Sequence, residues 1–282
     1  MNIDCCMITT NLQSRLQLMQ NCVASVEKQC GVFSKKILSV DEFPGGVSTD
    51  WYDTLRKKGW TVLSKKVIPR GSMVLNQYRV VSAADSDIVL YTEDDIVINR
   101  LPKTTTIHKL FTQPMVHGKR AGFICFNTHV WKRFTQNPKH IMDFIHDLGN
   151  YIIVDGDVFL VKRDVMKDKY FLNFPAALTT KNMFLALQEY AFAHNVGWGT
   201  EQAMTSAWFE LGKDKENEVL ISLKPEIIDR IKSGKRITVL DFYNYANINF
   251  WNNDVTLRHP ETPGRREGCG IVENMFQLYE NL

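Results

Sequence analysis

Glu93, Asp94 and Asp95 stand consecutively behind the apolar run from Ile88 to Tyr91. Carboxylates delivered by the end of a buried strand are donors for a hard divalent cation, Mg²⁺ or Mn²⁺, with a phosphate completing the coordination. The plainer reading is a solvated turn that caps the next element. Thr9, Thr10, Asn11 and Arg15 follow another apolar run. There, backbone N–H groups and small polar side chains meet a nucleotide, or Thr10 or Asn11 merely caps a helix. Asp41 closes a further run and suits a ribose or base, or a turn. Arg70, Asn76 and Arg79 precede the acidic strand and suit phosphates, or surface ion pairs.

Three more groups could do chemistry. Asp155 and Asp157 flank Gly156; they are contacts for an accepting molecule, or parts of a hairpin turn. Glu201 follows Gly197, Trp198 and Gly199. Glycines let backbone approach a ligand, the Trp198 ring offers a face for stacking a sugar, and Glu201 is equally a first-turn carboxylate favoured by the helix dipole. His259, before Pro260, is a metal ligand or a loop histidine.

Positioning these groups takes alternating elements. Ile3 to Thr10 reads as a strand, and Leu12, Leu16, Met19, Val23 and Val26 recur at helical spacing. Lys36 to Val40 predicts a strand, Asp50 to Lys58 a helix closed by Gly59, and Trp60 to Ser64 a strand. Val74, Tyr78 and Val81 predict one helix face, with Asn76 and Arg79 three apart on another. The pattern is α/β: a mostly parallel central sheet with helices on both faces. It carries neither GxGxxG nor GxxxxGK[ST], which disfavours dinucleotide dehydrogenases and P-loop NTPases.

Farther on, a helix to Phe111, a strand from Ala121 to Asn127 and a helix with Ile141, Phe144, Ile145 and Leu148 are expected. Tyr151 to Val154 and Val158 to Lys162 read as a hairpin. Phe184, Leu187, Ala191 and His194 mark one helix, and Met204, Ala207, Trp208 and Leu211 another that ends at Gly212. Lys213 to Glu218 reads as a charged loop, and Pro225 opens a short helix closed by Gly234. The aromatic and amide stretch from Phe242 to Trp251 suits a carbohydrate surface or a core, and the Gly- and Arg-rich segment after Pro263 suits a loop that closes on a pyrophosphate.

The 282 residues allow one large domain or a domain with a subdomain, and a net charge of +3 is too mild for a nucleic-acid surface. Six cysteines form no CxxC pair, which fits a reduced compartment. Without a basic segment leading a long apolar one, the expectation is a cytoplasmic protein with no membrane span.

The segment NQYRVVSAADSDIVLYTEDD, Asn76 to Asp95, resembles the nucleotide-sugar-dependent glycosyltransferases of the GT-A fold, particularly the family-2-like group, in its approach to the Asp-x-Asp motif. The resemblance implies that Asp95 contacts Mn²⁺ or Mg²⁺, with Glu93 and Asp94 facing the donor's ribose or sugar. GWGTEQ, Gly197 to Gln202, is similar to the group's later segment carrying an acidic general base. Gln202 replaces the usual Asp, so the base is Glu201 or another carboxylate such as Asp157. His259 matches the histidine that completes the metal shell in many such enzymes.

The implied organisation is a GT-A core over residues 1–212, with a nucleotide-sugar half over about 1–102 and an acceptor half over about 103–212. A C-terminal extension, 213–282, carries a possible lid. The implied activity is sugar transfer from a nucleoside-diphosphate sugar to the hydroxyl of a carbohydrate or glycoconjugate, with inversion. The alternatives are a sugar-nucleotide nucleotidyltransferase and a non-catalytic carbohydrate-binding protein on the same scaffold.

Overall fold

The computed structural model describes residues 2–46, 50–66, 72–94, 96–98, 100–126, 143–162, 171–172, 176–194, 200–235 and 246–248. The first half alternates as expected: β1 (Ile3–Thr10), α1 (Gln13–Glu27), β2 (Phe33–Glu42), α2 (Asp50–Lys57), β3 (Trp60–Lys66), α3 (Ser72–Ser82) and β4 (Ile88–Glu93). β1 and β4 are buried along nearly their whole length, as continuous apolar runs require when a sheet is covered on both faces. Then come β5 (Ile96–Ile98), α4 (Thr104–Thr112), β6 (Arg120–Cys125), β7 (Tyr151–Val154), β8 (Asp157–Val161) and β9 (Ala176–Thr180). Helix α5 (Lys181–His194), α6 (Thr200–Glu210), β10 (Asn217–Leu223), α7 (Glu226–Lys232) and β11 (Ala246–Ile248) follow.

Nine strands form one sheet in the order β3-β2-β1-β4-β9-β6-β10-β8-β7, while β11 pairs separately with β5. β3, β2, β1 and β4 are parallel neighbours; β9 runs against both β4 and β6, and β8 against β10 and β7. The architecture is thus a mixed sheet of mostly parallel strands with helices on both faces, as the GT-A resemblance implies. Strand alternation sorts the core into two layers. Cys5, Met7, Ile88 and Leu90 pack toward α1, α2 and α4, whereas Cys6, Ile8, Val89 and Tyr91 pack toward α3, α5 and α6. On the side of β10 and β8 away from α4, Ile227, Ile228 and Ile231 of α7 cover Ile221, Leu223, Val158 and Leu160.

Several expectations are corrected. No side chain caps α1: its N-cap is Leu12, because Asn11 bonds to the Phe43 backbone instead. Lys213 to Glu218 is not all solvated loop, since Asn217 and Glu218 open β10 and Glu218 is buried beside Lys119. The sheet therefore continues past residue 212. Leu148 lies in a 3-10 turn (Leu148–Asn150) and Leu211 past the end of α6, so both are partly exposed instead of inward. The hairpin is as read, with Asp155 and Gly156 at positive φ in a two-residue turn and Asp157 already in β8. Cys5, Cys6 and Cys30 are free thiols, and no described helix is long and apolar enough to cross a membrane.

Candidate active site at the carboxyl ends of the parallel strands

Parallel pairing aligns the ends of β2, β1 and β4, with Thr10 beside Asp41 and Ile8 beside Glu93. Alternation then sends the polar side chains to opposite faces. Toward α1, Thr9 Oγ1 donates to Asp94 Oδ2 at 2.6 Å. The Arg15 guanidinium closes on the same carboxylate, Nε to Oδ2 at 3.1 Å and Nη2 to Oδ1. Their side chains are 15% and 2% exposed, so this is a bidentate pair with the carboxylate buried and the guanidinium mostly so. Arg15 and Asp94, each expected to meet a nucleotide, meet one another.

Toward α3, Arg79 gathers the end of β2. Its Nε donates to Ser39 Oγ at 2.6 Å, and its Nη2 lies 3.2 Å from Asp41 Oδ1 and 2.7 Å from Asn76 Oδ1. Asn76, itself buried, turns its Nδ2 to the Thr9 carbonyl at 3.2 Å. Asn11 sits where the two faces meet. Its Oδ1 accepts from Phe43 N at 2.6 Å, its Nδ2 donates to Phe43 O at 3.3 Å, and its own N–H reaches Asp41 O at 3.1 Å. Gly46 presses on that amide so closely that a Cβ would stand 2.2 Å from Asn11 Nδ2. Any larger residue there would have to push the Asn11 amide off its bonds to Phe43.

Thr9, Thr10, Asn11, Arg15, Asp41, Asn76, Arg79, Glu93 and Asp94 therefore converge on one end of the sheet. Most are engaged with one another. Thr10 Oγ1 among them is enclosed and makes no hydrogen bond, and the same holds for Tyr52 Oη, which feels the charges of Glu42 and Asp94. Tyr52, on α2, was not singled out by the sequence. Burial, and then the charges of Glu42 and Asp94, push its phenol up to about 12. Ser39 was also missed, since only the strand register shows that it faces Arg79.

Glu201 and Asp157 lie apart from this cluster. Asp157 opens β8, four strands from β4 in the sheet order, which is roughly 19 Å at the usual strand spacing. It is fully buried and accepts from Lys103 N at 2.9 Å and Arg100 Nη2 at 3.4 Å, which pins the hairpin to the segment leading into α4. Glu201 occupies the first turn of α6. Arg70, Asp95, Trp198 and His259 lie outside the described residues. Among the described residues no three His, Cys, Asp or Glu side chains gather into a cation site. Asp94 fits poorly as a cation ligand, because three donors already occupy its carboxylate.

No protein-family description matches this sequence, and no curated protein matches it. Among solved structures, the chain is similar to glucosyl-3-phosphoglycerate synthase from Mycobacterium tuberculosis, solved with Mn²⁺, UDP and glucosyl-3-phosphoglycerate. The two share 16% identity over 77% of this chain and 69% of that one, with a TM-score of 0.43. It is similar to a glycosyltransferase of Streptococcus pneumoniae at 12% identity, over 77% of this chain and 44% of that one, with a TM-score of 0.41. A 4-diphosphocytidyl-2C-methyl-D-erythritol synthase from Anaerococcus prevotii gives 12% identity, 83% and 96% coverage, and a TM-score of 0.40. Glycosyltransferases and a nucleotidyltransferase are thus the kinds of solved structure to which this chain is similar.

Proposed function

We propose that this chain is a glycosyltransferase that moves a sugar from a nucleoside-diphosphate sugar to an acceptor hydroxyl, with inversion. The supporting observation is the convergence of Thr9, Thr10, Asn11, Asp41, Asn76 and Arg79 at the carboxyl ends of β1 and β2, beside the acidic end of β4. Ligands of open α/β sheets bind at that end. The enclosed, unpartnered Thr10 hydroxyl within it is a hydrogen-bonding group that a ligand hydroxyl or carbonyl would satisfy.

In the reaction, the acceptor oxygen bonds to the anomeric carbon as the bond from that carbon to the diphosphate oxygen breaks. The electron pair leaves with the nucleoside diphosphate, and the acceptor proton passes to a carboxylate. Glu201 is the better base, because Asp157 is enclosed and already accepts from Lys103 and Arg100. A divalent cation held by Asp95 and His259 would supply charge neutralisation at the leaving diphosphate. Arg70, Glu93 and Trp198 complete the proposed donor contacts, and the acceptor is a carbohydrate or glycoconjugate.

A thermal-shift screen of UDP- and GDP-sugars, with and without Mn²⁺, tests this reading. One donor class should raise the melting midpoint only with Mn²⁺, since a ligand that binds the folded state stabilises it by mass action. Asp95→Ala should erase the Mn²⁺-dependent part. Stabilisation by a nucleoside triphosphate with release of pyrophosphate would instead identify a nucleotidyltransferase. Response to glycans alone would identify a binding protein.

A further inference from the structure

We infer that Asp94 is a positioning residue that touches neither donor nor cation, and that Arg15 acts through it to hold the acidic turn in place. The inference rests on the transferase reading and gives Arg15 and Asp94 a role other than the nucleotide contact the sequence suggested. Asp94 immediately follows β4, and each of its carboxylate oxygens is engaged. Oδ2 accepts from Thr9 Oγ1 at 2.6 Å and Arg15 Nε at 3.1 Å, and Oδ1 accepts from Arg15 Nη2. With the carboxylate 2% exposed, little of it remains for a ligand.

The three partners come from three elements. Thr9 is on β1, Arg15 on the first turn of α1, and Asp94 just past β4. One contact therefore ties the acidic turn to the strand and the helix that border the proposed donor site. Cys22 of α1 adds a thiol contact to the Glu93 carbonyl at 3.5 Å, so the helix holds this turn at two consecutive residues. The middle carboxylate is turned inward, and its charge is paired with that of Arg15.

This arrangement makes a prediction of unusual sign. If Arg15 acted only as a nearby positive charge, its removal would tighten binding of a cation at the end of β4. If it positions the turn, removal weakens that binding, by about 10-fold or more, as loss of an outer-shell partner typically does.

The test is the Mn²⁺ dissociation constant of the full chain, read from the free-ion signal in electron paramagnetic resonance. Arg15→Met is expected to weaken Mn²⁺ binding, and Arg15→Lys, which keeps the charge and one hydrogen bond, to recover much of it. Because Arg15 and Asp94 act through one contact, the double variant R15M/D94N should lose no more than Arg15→Met alone. Unchanged or tighter Mn²⁺ binding in Arg15→Met overturns the inference, as does a double variant whose losses multiply. If Arg15→Met does not fold, Thr9→Val removes a donor from the same carboxylate, and unchanged Mn²⁺ binding there overturns the inference equally. A wild-type chain that binds no Mn²⁺ overturns the transferase reading itself, and the inference with it.

Discussion

Tyr52 sets a well-packed ring against a hydroxyl that nothing bonds. Its ring is 1% exposed within the layer shared by α1 and α2, and its hydroxyl has no hydrogen-bond partner. A buried donor left unsatisfied costs about 1–3 kcal/mol, whereas the ring itself is well packed. Tyr52→Phe should therefore leave the urea midpoint unchanged or raise it by the equivalent of about 1 kcal/mol. A clear drop in midpoint would show that the hydroxyl is bonded in the folded protein. Arg79 presents the reverse case. It holds Asp41, Asn76 and Ser39 in one buried group, and truncating one member of a buried pair leaves the other charge uncompensated. These residue types were legible in the sequence, but their partners were not. Arg15 and Asp94 lie 79 positions apart, and only the parallel pairing of β1 with β4 brings them together.

Among the elements, α1 is fixed at its far end by Glu27, which joins it to β2 and β3. The carboxylate Oε1 accepts from Lys36 Nζ at 2.6 Å and from Trp60 Nε1 at 2.6 Å. Burial alone would raise the Glu27 pKa, but the hydrogen bonds from Lys36 and Trp60, with the charge of Lys36, more than offset it and hold the group below its ordinary value. A carboxyl with a lower pKa folded than unfolded stabilises the fold fully above the unfolded value, near pH 4.3 for a free Glu, and loses that contribution as pH falls through the folded value. Urea midpoints measured from neutral pH downward should fall below about pH 4.3, and Glu27→Gln should make that fall shallower. An identical acid limb in the variant would remove Glu27 from the pH response. Among the strands that sequence reading recovered, β1, β2, β3 and β4 share one trait: they are apolar runs closed by polar residues. β9, Ala-Ala-Leu-Thr-Thr, is short, small and buried, so it shows neither alternation nor bulk. β10 was hidden because it begins with Asn217 and Glu218 behind a lysine-rich turn, and the burial of Glu218 beside Lys119 is a tertiary fact.

At the scale of the molecule, the direction of β9 decides whether both halves of the chain can serve one site. β9 runs antiparallel to β4 and ends at Thr180, opposite Ile88, so α5 starts at the end of the sheet away from the acidic turn. Its 14 residues rise about 21 Å, close to the length of a six-residue strand, and deliver the chain back to the other end. Helix α6 then descends toward β10, whose first residues pair with the start of β6. Thus the amino end of α6, with Glu201 in its first turn, lies at the same end of the sheet as the Thr9, Asp41 and Asp94 cluster, on the α3 side. If Glu201 takes the acceptor proton there, Glu201→Gln removes the base without touching the donor cluster. The turnover rate with the donor identified by thermal shift should fall about 10²-fold or more, and that donor's dissociation constant should stay within a factor of about two. Equal losses in affinity and rate would place Glu201 among the donor contacts. An unchanged rate would return the role of base to another carboxylate.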